Sequence, residues 1–397
     1  MVSLRKSELI RKEKVVMRVL NVCSSLDLKS GGGTAERTFQ MNRFLGRRGL
    51  ICTVLTLKIG LDAARFDALA PATVIALDLL WRRFYVPRVN WKTVRKIVND
   101  HDVVHLIGHW GVLNALVYFA ARRTGKPYVV CPAGALSLFG RSVWIKRLYN
   151  LIVGKAIIRN AAGWIAVTAG ELLHFQSYGI PASLVTVIPN GVSEEDFPQV
   201  DRSTFLLSHD LADNPMILFM GRLNLIKGPD LLLDAFALVS KRFSAHQLIF
   251  AGPDGGMLAV LRARADRLGL ARRVHFLGHV DGLAKVAAYR SAQLLVVPSR
   301  QEAMSIVALE AGICGTPVLL TDQCGFSDIT KIDTRLEVSA TAEAIAAGMV
   351  SLLTDPVVLE NITPVWKSFV MTNYAWEVIV PRYLCLYRKI LTKKDRP

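Results

Sequence analysis

Short, almost wholly apolar runs alternate along this chain with longer stretches whose apolar positions repeat at helical spacing. The runs are RVLNVC (18–23), ICTVLTL (51–57), TVIALDL (73–79), VVHLIG (103–108), PYVVCP (127–132) and GWIAVT (163–168), then MILFMG (216–221), HQLIFAG (246–252), RVHFLG (273–278), QLLVVPS (293–299) and PVLLT (317–321). Separated by helix-like segments, they predict the buried strands of parallel α/β sheets. Between the sixth and seventh runs lies VIPNGVSEEDFPQVDRSTFLLSHDLADNP (187–215), rich in Pro, Gly, Asp and Ser and without periodicity, which reads as a linker. The halves show no internal repeat, so two separately wound domains are expected, at 1–195 and 196–374. A length of 397 residues, more than one core usually organises, agrees with that.

The run QLLVVPS introduces the stretch with the clearest chemistry. After the strand come Pro298 to Gln301, then SIVALEAGI as a helix with Ser305 at or near its N-cap, a break at CGTP, and the next strand: a βαβ unit. Ligands of such sheets bind outside the carboxyl ends of the strands, at the helix N-terminus. Glu302 lies on that loop and Glu310 on the helix behind it, two carboxylates among apolar and small residues, where carboxylates need partners. The N–H groups of residues 303 to 306 suit a phosphate. Two acceptor carboxylates and a row of donors describe a ligand with sugar hydroxyls, phosphates and a ribose, that is, a nucleotide sugar. The basic partner is expected in GRLNLIKG (221–228): Gly221 ends a strand, and Arg222 and Lys227 in the loop can neutralise a diphosphate and the charge that grows on it as it leaves.

Composition narrows the setting. With 52% hydrophobic and 20% charged residues the chain is neither disordered nor fibrous. Six scattered cysteines with no CxxC pair and no Cys/His cluster point to a reducing compartment and no structural zinc. The start MVSLRKSELIRKEKVVMRVL has no apolar region of signal-peptide length, so cytoplasmic residence is expected. The apolar stretch 103–121 is interrupted by His105, Gly108, His109, Gly111 and Asn114 and reads as strand, loop and helix rather than a membrane span.

Charge is distributed unevenly. Residues 1–195 hold 27 Lys and Arg against 12 Asp and Glu, a net of +15, and residues 196–397 hold 22 against 20, a net of +2. Such a half attracts nucleic acid, phosphorylated ligands or an anionic membrane leaflet. Two segments interleave the charge with aromatics: WRRFYVPRVNWKTVRK (81–96), with Arg82, Arg83, Arg88, Lys92, Arg95 and Lys96, and RSVWIKRLYNLIVGKAIIR (141–159). That mixture suits a membrane interface; a solvated helical face is the plainer alternative. No helix-turn-helix, RRM or OB signature accompanies the charge, which argues against nucleic acid.

Taken together these motifs resemble those of retaining glycosyltransferases of the two-domain GT-B type, in the large family 4 that includes bacterial lipopolysaccharide, capsule and exopolysaccharide sugar transferases. The resemblance runs from about residue 17 to near the end. It rests on the E-x7-E pair Glu302 and Glu310 continued by EAGICGTPVLLTD, on GRLNLIKG, on VIPNGV and AGPDGG, and on the amino-terminal SGGGTAE followed by RGLICTVLT.

The resemblance implies two Rossmann-like doubly wound domains facing a central cleft, the first binding the acceptor and completed by a closing helix near 375–392, the second binding the donor. It implies that Glu302 holds the donor sugar's hydroxyls and Glu310 the ribose. Arg222 and Lys227 would bind the diphosphate. Gly31, Gly32 and Gly33 would allow backbone to approach phosphates or acceptor, with Gly221, Met304, Ser305 and Ile306 lining the donor pocket. His109 in HLIGHW matches a histidine beside the donor sugar, and Glu171 in TAGE is expected to be a helix-start residue rather than a catalyst. Met304 and Ser305 depart from the family's usual Gly and Phe. The reaction implied is transfer from a nucleotide diphosphate sugar to a hydroxyl of a glycan or lipid-linked acceptor, with retention, without a metal or other cofactor, at the inner face of the cytoplasmic membrane. A GT-B epimerase would share the donor side but not the combination of E-x7-E with R-x4-K.

Overall fold

The computed structural model describes residues 16–60, 63–137 and 143–394. The basic start 1–15 and the beginning of the segment 141–159 lie outside the described residues. The chain forms two compact units: one of residues 1–165, 175–186 and 383–397, the other of 166–174 and 187–382.

The first unit holds β1 (Arg18–Val22), β2 (Ile51–Leu57), β3 (Thr73–Leu77), a short hairpin of β4 (Leu79–Trp81) and β5 (Val86–Pro87), then β6 (Val103–Ile107), β7 (Tyr128–Cys131), β8 (Gly163–Ala166) and β9 (Val185–Val187). Its seven-stranded sheet runs β3-β2-β1-β6-β7-β8-β9. The second unit holds β10 (Met216–Met220), β11 (Gln247–Ala251), β12 (Val274–Gly278), β13 (Ala292–Val297), β14 (Val318–Thr321) and β15 (Glu337–Val338), in the order β12-β11-β10-β13-β14-β15. The pairings from β3 through β8, and all of the second sheet's, are parallel.

In each unit the strand order reverses beside the first strand, at β1/β6 and at β10/β13. In doubly wound sheets, helices on either side of such a line leave a crevice at the strands' carboxyl ends, and ligands bind there. The strands are there because their residues are apolar on both faces: β1 after Arg18, β6, β7, β10, β11 and β14 are buried throughout.

All eleven apolar runs are strands. Three further elements carry too little pattern to be read: the hairpin β4–β5, whose outward Trp81 and the turn at Arg82–Phe84 break any alternation, and the three- and two-residue edges β9 and β15. The stretch expected as a linker is partly structured. It begins within β9 and includes the helix Arg202–Ser208, whose N-cap Asp201 accepts from Ser203 N at 3.0 Å.

The units divide at residues 186/187 rather than 195/196, because the chain around Val192 is tied into the second unit. Val192 N donates to Tyr374 O at 2.9 Å and Trp376 N to Val192 O at 3.1 Å. The closing helix Trp376–Lys394 is itself divided. From Tyr383 onward it belongs to the first unit, where buried Arg37 donates to Tyr383 Oη at 2.6 Å and His105 Nδ1 meets Tyr387 Oη at 2.9 Å.

Stretch 103–121 is β6, a loop and the start of helix Val112–Thr124. Among the described residues no single helix is long and apolar enough to cross a membrane.

Candidate functional site

The loops leaving β10 and β13 are built to meet. After Met220 the chain runs through Gly221 and Arg222, Leu223 N donates to Pro253 O at 3.0 Å, and a tight turn Leu225–Lys227 follows, capped by Asn224 Oδ1 accepting from Lys227 N at 3.0 Å. Gly228 stands at φ 67°, and a Cβ there would lie 2.0 Å from Pro298 O. Only glycine lets the two loops approach this closely.

Arg300 N donates to Ile226 O at 2.7 Å, and its guanidinium forks onto Asp230, Nη1 to Oδ1 at 2.8 Å and Nη2 to Oδ2 at 2.7 Å. Burial pushes the Asp230 carboxyl up, but the hydrogen bonds and charge of Arg300 outweigh it and leave the carboxyl below its ordinary range.

This framework presents Lys227 and Glu302 to each other. Lys227 Nζ lies 2.7 Å from Glu302 Oε1, and Ser299 Oγ donates to the same oxygen at 2.5 Å. The loop that carries Glu302 is held from two further directions. Glu302 N donates to Gln323 O at 2.8 Å and Ser305 N to Cys324 O at 3.2 Å. From VIPNGV, Asn190 Nδ2 donates to Met304 O at 3.2 Å.

These bonds change some of the expected roles. Ser305 N–H is committed to Cys324, so it drops out of the expected row of phosphate donors. Ser305 Oγ is buried, caps nothing and has no partner among the described residues. The helix begins at Ile306, whose first turn carries N–H groups that precede the helical ladder. Met304, expected at the sugar, is buried, with its sulfur accepting from Asn190 N at 3.4 Å.

Glu310 sits on the inner side of the same helix, buried. Lys285 Nζ lies 2.7 Å from Oε1 and Tyr289 Oη donates to Oε2 at 2.7 Å. Burial, then the Glu310 charge, push the Tyr289 phenol well above its usual range and keep it a donor. The two glutamates thus hold different partners, Lys227 and Lys285. Arg222 is half-buried at the end of β10, its Cγ beside Gly255.

In the first unit the expected glycine loop is the opening of helix Leu28–Arg47. Gly32 interrupts it at φ 54° and ψ −138°, a conformation closed to other residues. His109, just beyond β6, is buried. Its Nε2 lies 3.0 Å from Asn150 Oδ1, and the rings of Trp110, Tyr149 and Tyr178 stand edge-on around it. Burial pushes its pKa down to about 4, so the ring is neutral at physiological pH. Glu171, in the second unit, closes the short turn Ala169–Glu171 ahead of the helix Leu172–Ser177, the helix-start position expected; it is buried and its Oε2 accepts from Val167 N at 2.7 Å.

The side chains of Arg82, Arg83, Arg88, Lys92, Arg95 and Lys96 are all exposed, and so are Trp81, Phe84, Tyr85 and Trp91 among them. Along 143–159, Trp144, Leu148, Leu151 and Ile152 are exposed beside Arg147 and Lys155. Among the described residues no three His, Cys, Asp or Glu gather as a metal site.

Sequence reasoning did not single out Ser299, Arg300, Asp230, Asn190, Lys285, Tyr289 or Asn150. Ser299, Asn190 and Asn150 lay in quoted segments without being assigned a role, and the bonds of Arg300, Asp230, Lys285 and Tyr289 run between elements distant in sequence.

Comparison with known proteins agrees with this architecture. Residues 208–364 match the glycosyl transferases group 1 model and residues 32–191 the glycosyl transferase 4-like domain. An uncharacterized glycosyltransferase of Methanocaldococcus jannaschii is 32% identical over 218 residues, 53% of this chain and 55% of the other. A D-inositol 3-phosphate glycosyltransferase of Nocardia farcinica is 35% identical over 181 residues, 44% of this chain and 40% of the other. The matches thus span about half the length of these curated relatives. The crystal structure of Anabaena HepE in complex with UDP and glucose superposes with a TM-score of 0.75 at 18% identity, covering 93% of this chain and 98% of that one. With a match to a 4-like domain followed by a match to a group 1 domain, each wound on its own parallel sheet, the chain has the two-domain α/β fold of GT-B glycosyltransferase structures.

Proposed function

We propose that this protein transfers a glycosyl group from a nucleotide diphosphate sugar to a hydroxyl of a glycan or lipid-linked acceptor, with retention of configuration, as a step of bacterial surface polysaccharide synthesis. The observation that carries the reading is the Lys227–Glu302 contact at the strand-order reversal of the second sheet. A cation and a carboxylate held there suit a ligand that is anionic at one end and hydroxylated at the other. The HepE complex supports a nucleotide donor for a protein of this fold.

In this reading Lys227 and Arg222 neutralise the diphosphate and stabilise its departure, and the N–H groups at Ile306 add to them. Both protein contacts to Glu302 fall on Oε1, and Oε2 takes the sugar's hydroxyls. Glu310, oriented by Lys285 and Tyr289, takes the ribose; each carboxylate oxygen has a second lone pair. The bond from the anomeric carbon to the phosphate oxygen breaks as the acceptor oxygen bonds on the same face, and the leaving phosphate accepts the acceptor's proton. The cations do the work a metal would otherwise do, and no cofactor is called for.

The exposed basic and aromatic surface at 81–96 suits an anionic leaflet, which would place the enzyme as a peripheral protein at the inner face of the cytoplasmic membrane. An epimerase of the same fold is the other reading of the donor side.

The test is thermal stabilisation by UDP-, GDP-, dTDP- and ADP-sugars without added metal, in wild type and Glu310→Ala. Saturation at ~100 times Kd stabilises by about 2.7 kcal/mol. A shift with one nucleotide that the variant loses supports the donor site, and the anomeric coupling in the NMR spectrum of the product reads retention. Release of an epimerised sugar nucleotide without any acceptor would favour the epimerase.

A further inference from the structure

The stretch read as a linker carries a large apolar side chain among acidic, polar and proline positions, Phe197 in SEEDFPQ (193–199). Yet Phe197 is only 6% exposed, so something covers it. It follows the tight turn Glu194–Asp196, and its N donates to Glu194 O at 3.0 Å. Its ring lies against Lys285, whose Nζ stands 5.6 Å from the ring centre. The same Nζ meets Glu310 Oε1 at 2.7 Å.

Arg290 fixes the backbone at this point. Its guanidinium donates to three carbonyls, Nη2 to Phe197 O at 2.8 Å, Nε to Pro198 O at 3.2 Å and Nη1 to Cys314 O at 3.3 Å. Lys285 and Arg290 belong to one helix, Gly282–Ser291, and Glu310 and Cys314 to another, Ile306–Cys314. Two ties therefore join these helices, Lys285 to Glu310 and Arg290 to Cys314. Phe197 touches both, with its ring on the lysine and its carbonyl on the arginine. All of these residues lie in the second unit.

The arrangement answers a weakness of the Lys285–Glu310 pair. The side chain of Glu310 is 7% exposed, and losing its partner would leave a buried carboxylate alone. The side chain of Lys285 is 26% exposed, on a flexible four-carbon stem that water can draw away. An aromatic face attracts the ammonium and shields one side of it.

From this geometry we infer that Phe197 is a positioning residue of the donor site. It keeps Lys285 on Oε1 of Glu310 while Tyr289 holds Oε2, so that the remaining lone pairs of the carboxylate face a vicinal diol together, the 2′- and 3′-hydroxyls of a ribose. The inference rests on the reading of Glu310 as the ribose acceptor. It adds that the irregular chain after β9 takes part in that recognition through one ring, and that this ring sharpens the choice of ribose over 2′-deoxyribose.

Calorimetric titration of the full chain with UDP, GDP and ADP and with their 2′-deoxy forms, without added metal, tests this. Wild type should bind one of the three about tenfold more tightly than its 2′-deoxy form, the weight of one hydrogen bond to a charged group. Phe197→Leu, which keeps an apolar side chain but no aromatic face, should bring that ratio down to about two by weakening the ribonucleotide and sparing the 2′-deoxy form. Phe197→Tyr, which keeps the face, should retain the wild-type ratio. In Lys285→Met the ratio should already be lost, and adding Phe197→Leu should change nothing further.

Equal weakening of both nucleotide forms in Phe197→Leu, or of neither, overturns the inference, and so does an undiminished Phe197→Leu effect in the Lys285→Met background. Glu310→Ala separates these outcomes from the reading beneath them. If wild type binds a nucleoside diphosphate that Glu310→Ala binds equally well, the ribose assignment is what fails; if none of the three binds, the donor site is. In either case the role of Phe197 falls with it.

Discussion

Lys227 Nζ stands 2.7 Å from Glu302 Oε1, joining the loop after β10 to the loop after β13. The contact is between a half-exposed ammonium and a nearly buried carboxylate, so the pair is organised before any ligand arrives. Lys227→Ala should lower kcat by about 10²-fold, the cost of removing one preorganised group aimed at developing charge. Steady-state rates with the donor identified by stabilisation check this; a kcat within a factor of two of wild type would remove Lys227 from the chemistry.

The Arg300–Asp230 fork supports that pair from outside. Arg300→Ala should cost about 2 kcal/mol of stability, and a double-mutant cycle with Asp230→Ala should show the two residues coupled. Because the folded Asp230 carboxyl lies below its ordinary value of 3.8, its contribution is present above that value and is lost as pH falls through the folded one. Denaturant titrations of wild type and Asp230→Asn at pH 7 and pH 3 would test this: the difference between the two proteins should shrink at the lower pH.

Buried histidines set a second pH dependence of opposite origin. Burial, with Arg37 adding to it, holds His105 down at about 3, and burial holds His109 down at about 4, against an ordinary 6.5. Between those values and 6.5 the unfolded chain binds more protons than the folded one, so stability falls as pH drops from about 6.5 towards 4. For His109 alone the loss is on the order of 3 kcal/mol. Urea midpoints between pH 7 and pH 4.5 should decline steeply, and less so in His109→Gln; a flat profile would mean that neither ring is held neutral.

The exposed cations at 81–96 make a prediction about location. Replacing Arg82, Arg83, Arg88, Lys92, Arg95 and Lys96 by Gln should abolish co-sedimentation with anionic vesicles, at about 1 kcal/mol per charge near the surface, without changing the melting temperature. Binding that persists in the variant, or wild-type binding insensitive to salt, would show that this face is merely solvated.

Much of the second unit was legible because its signals are local. A strand, a loop and a helix contiguous in sequence place Glu302 and Glu310, and a strand-ending glycine places Arg222 and Lys227. What could not be read is what those residues touch. Lys285 and Tyr289 reach Glu310 from another helix, and Asn190 holds Met304 across more than a hundred residues; no periodicity encodes such pairs. The resemblance placed Met304 and Ser305 at the sugar, whereas packing buries both side chains and the Ser305 N–H bonds Cys324 O. The boundary near 195 failed for a similar reason. Pro, Gly and Asp mark where regular structure stops, and they do not say which body the irregular chain lies against.

The closing helix bears on the order in which the protein can mature. Arg37 and His105 are made within the first quarter or so of the chain and buried in the first unit, yet the hydroxyls they meet belong to Tyr383 and Tyr387. On a ribosome those tyrosines emerge only after the whole second unit has been synthesised. Until then an arginine and a histidine inside the first sheet's packing lack these partners, so the amino-terminal half, although first to be made, must wait for the last residues before its interior is complete.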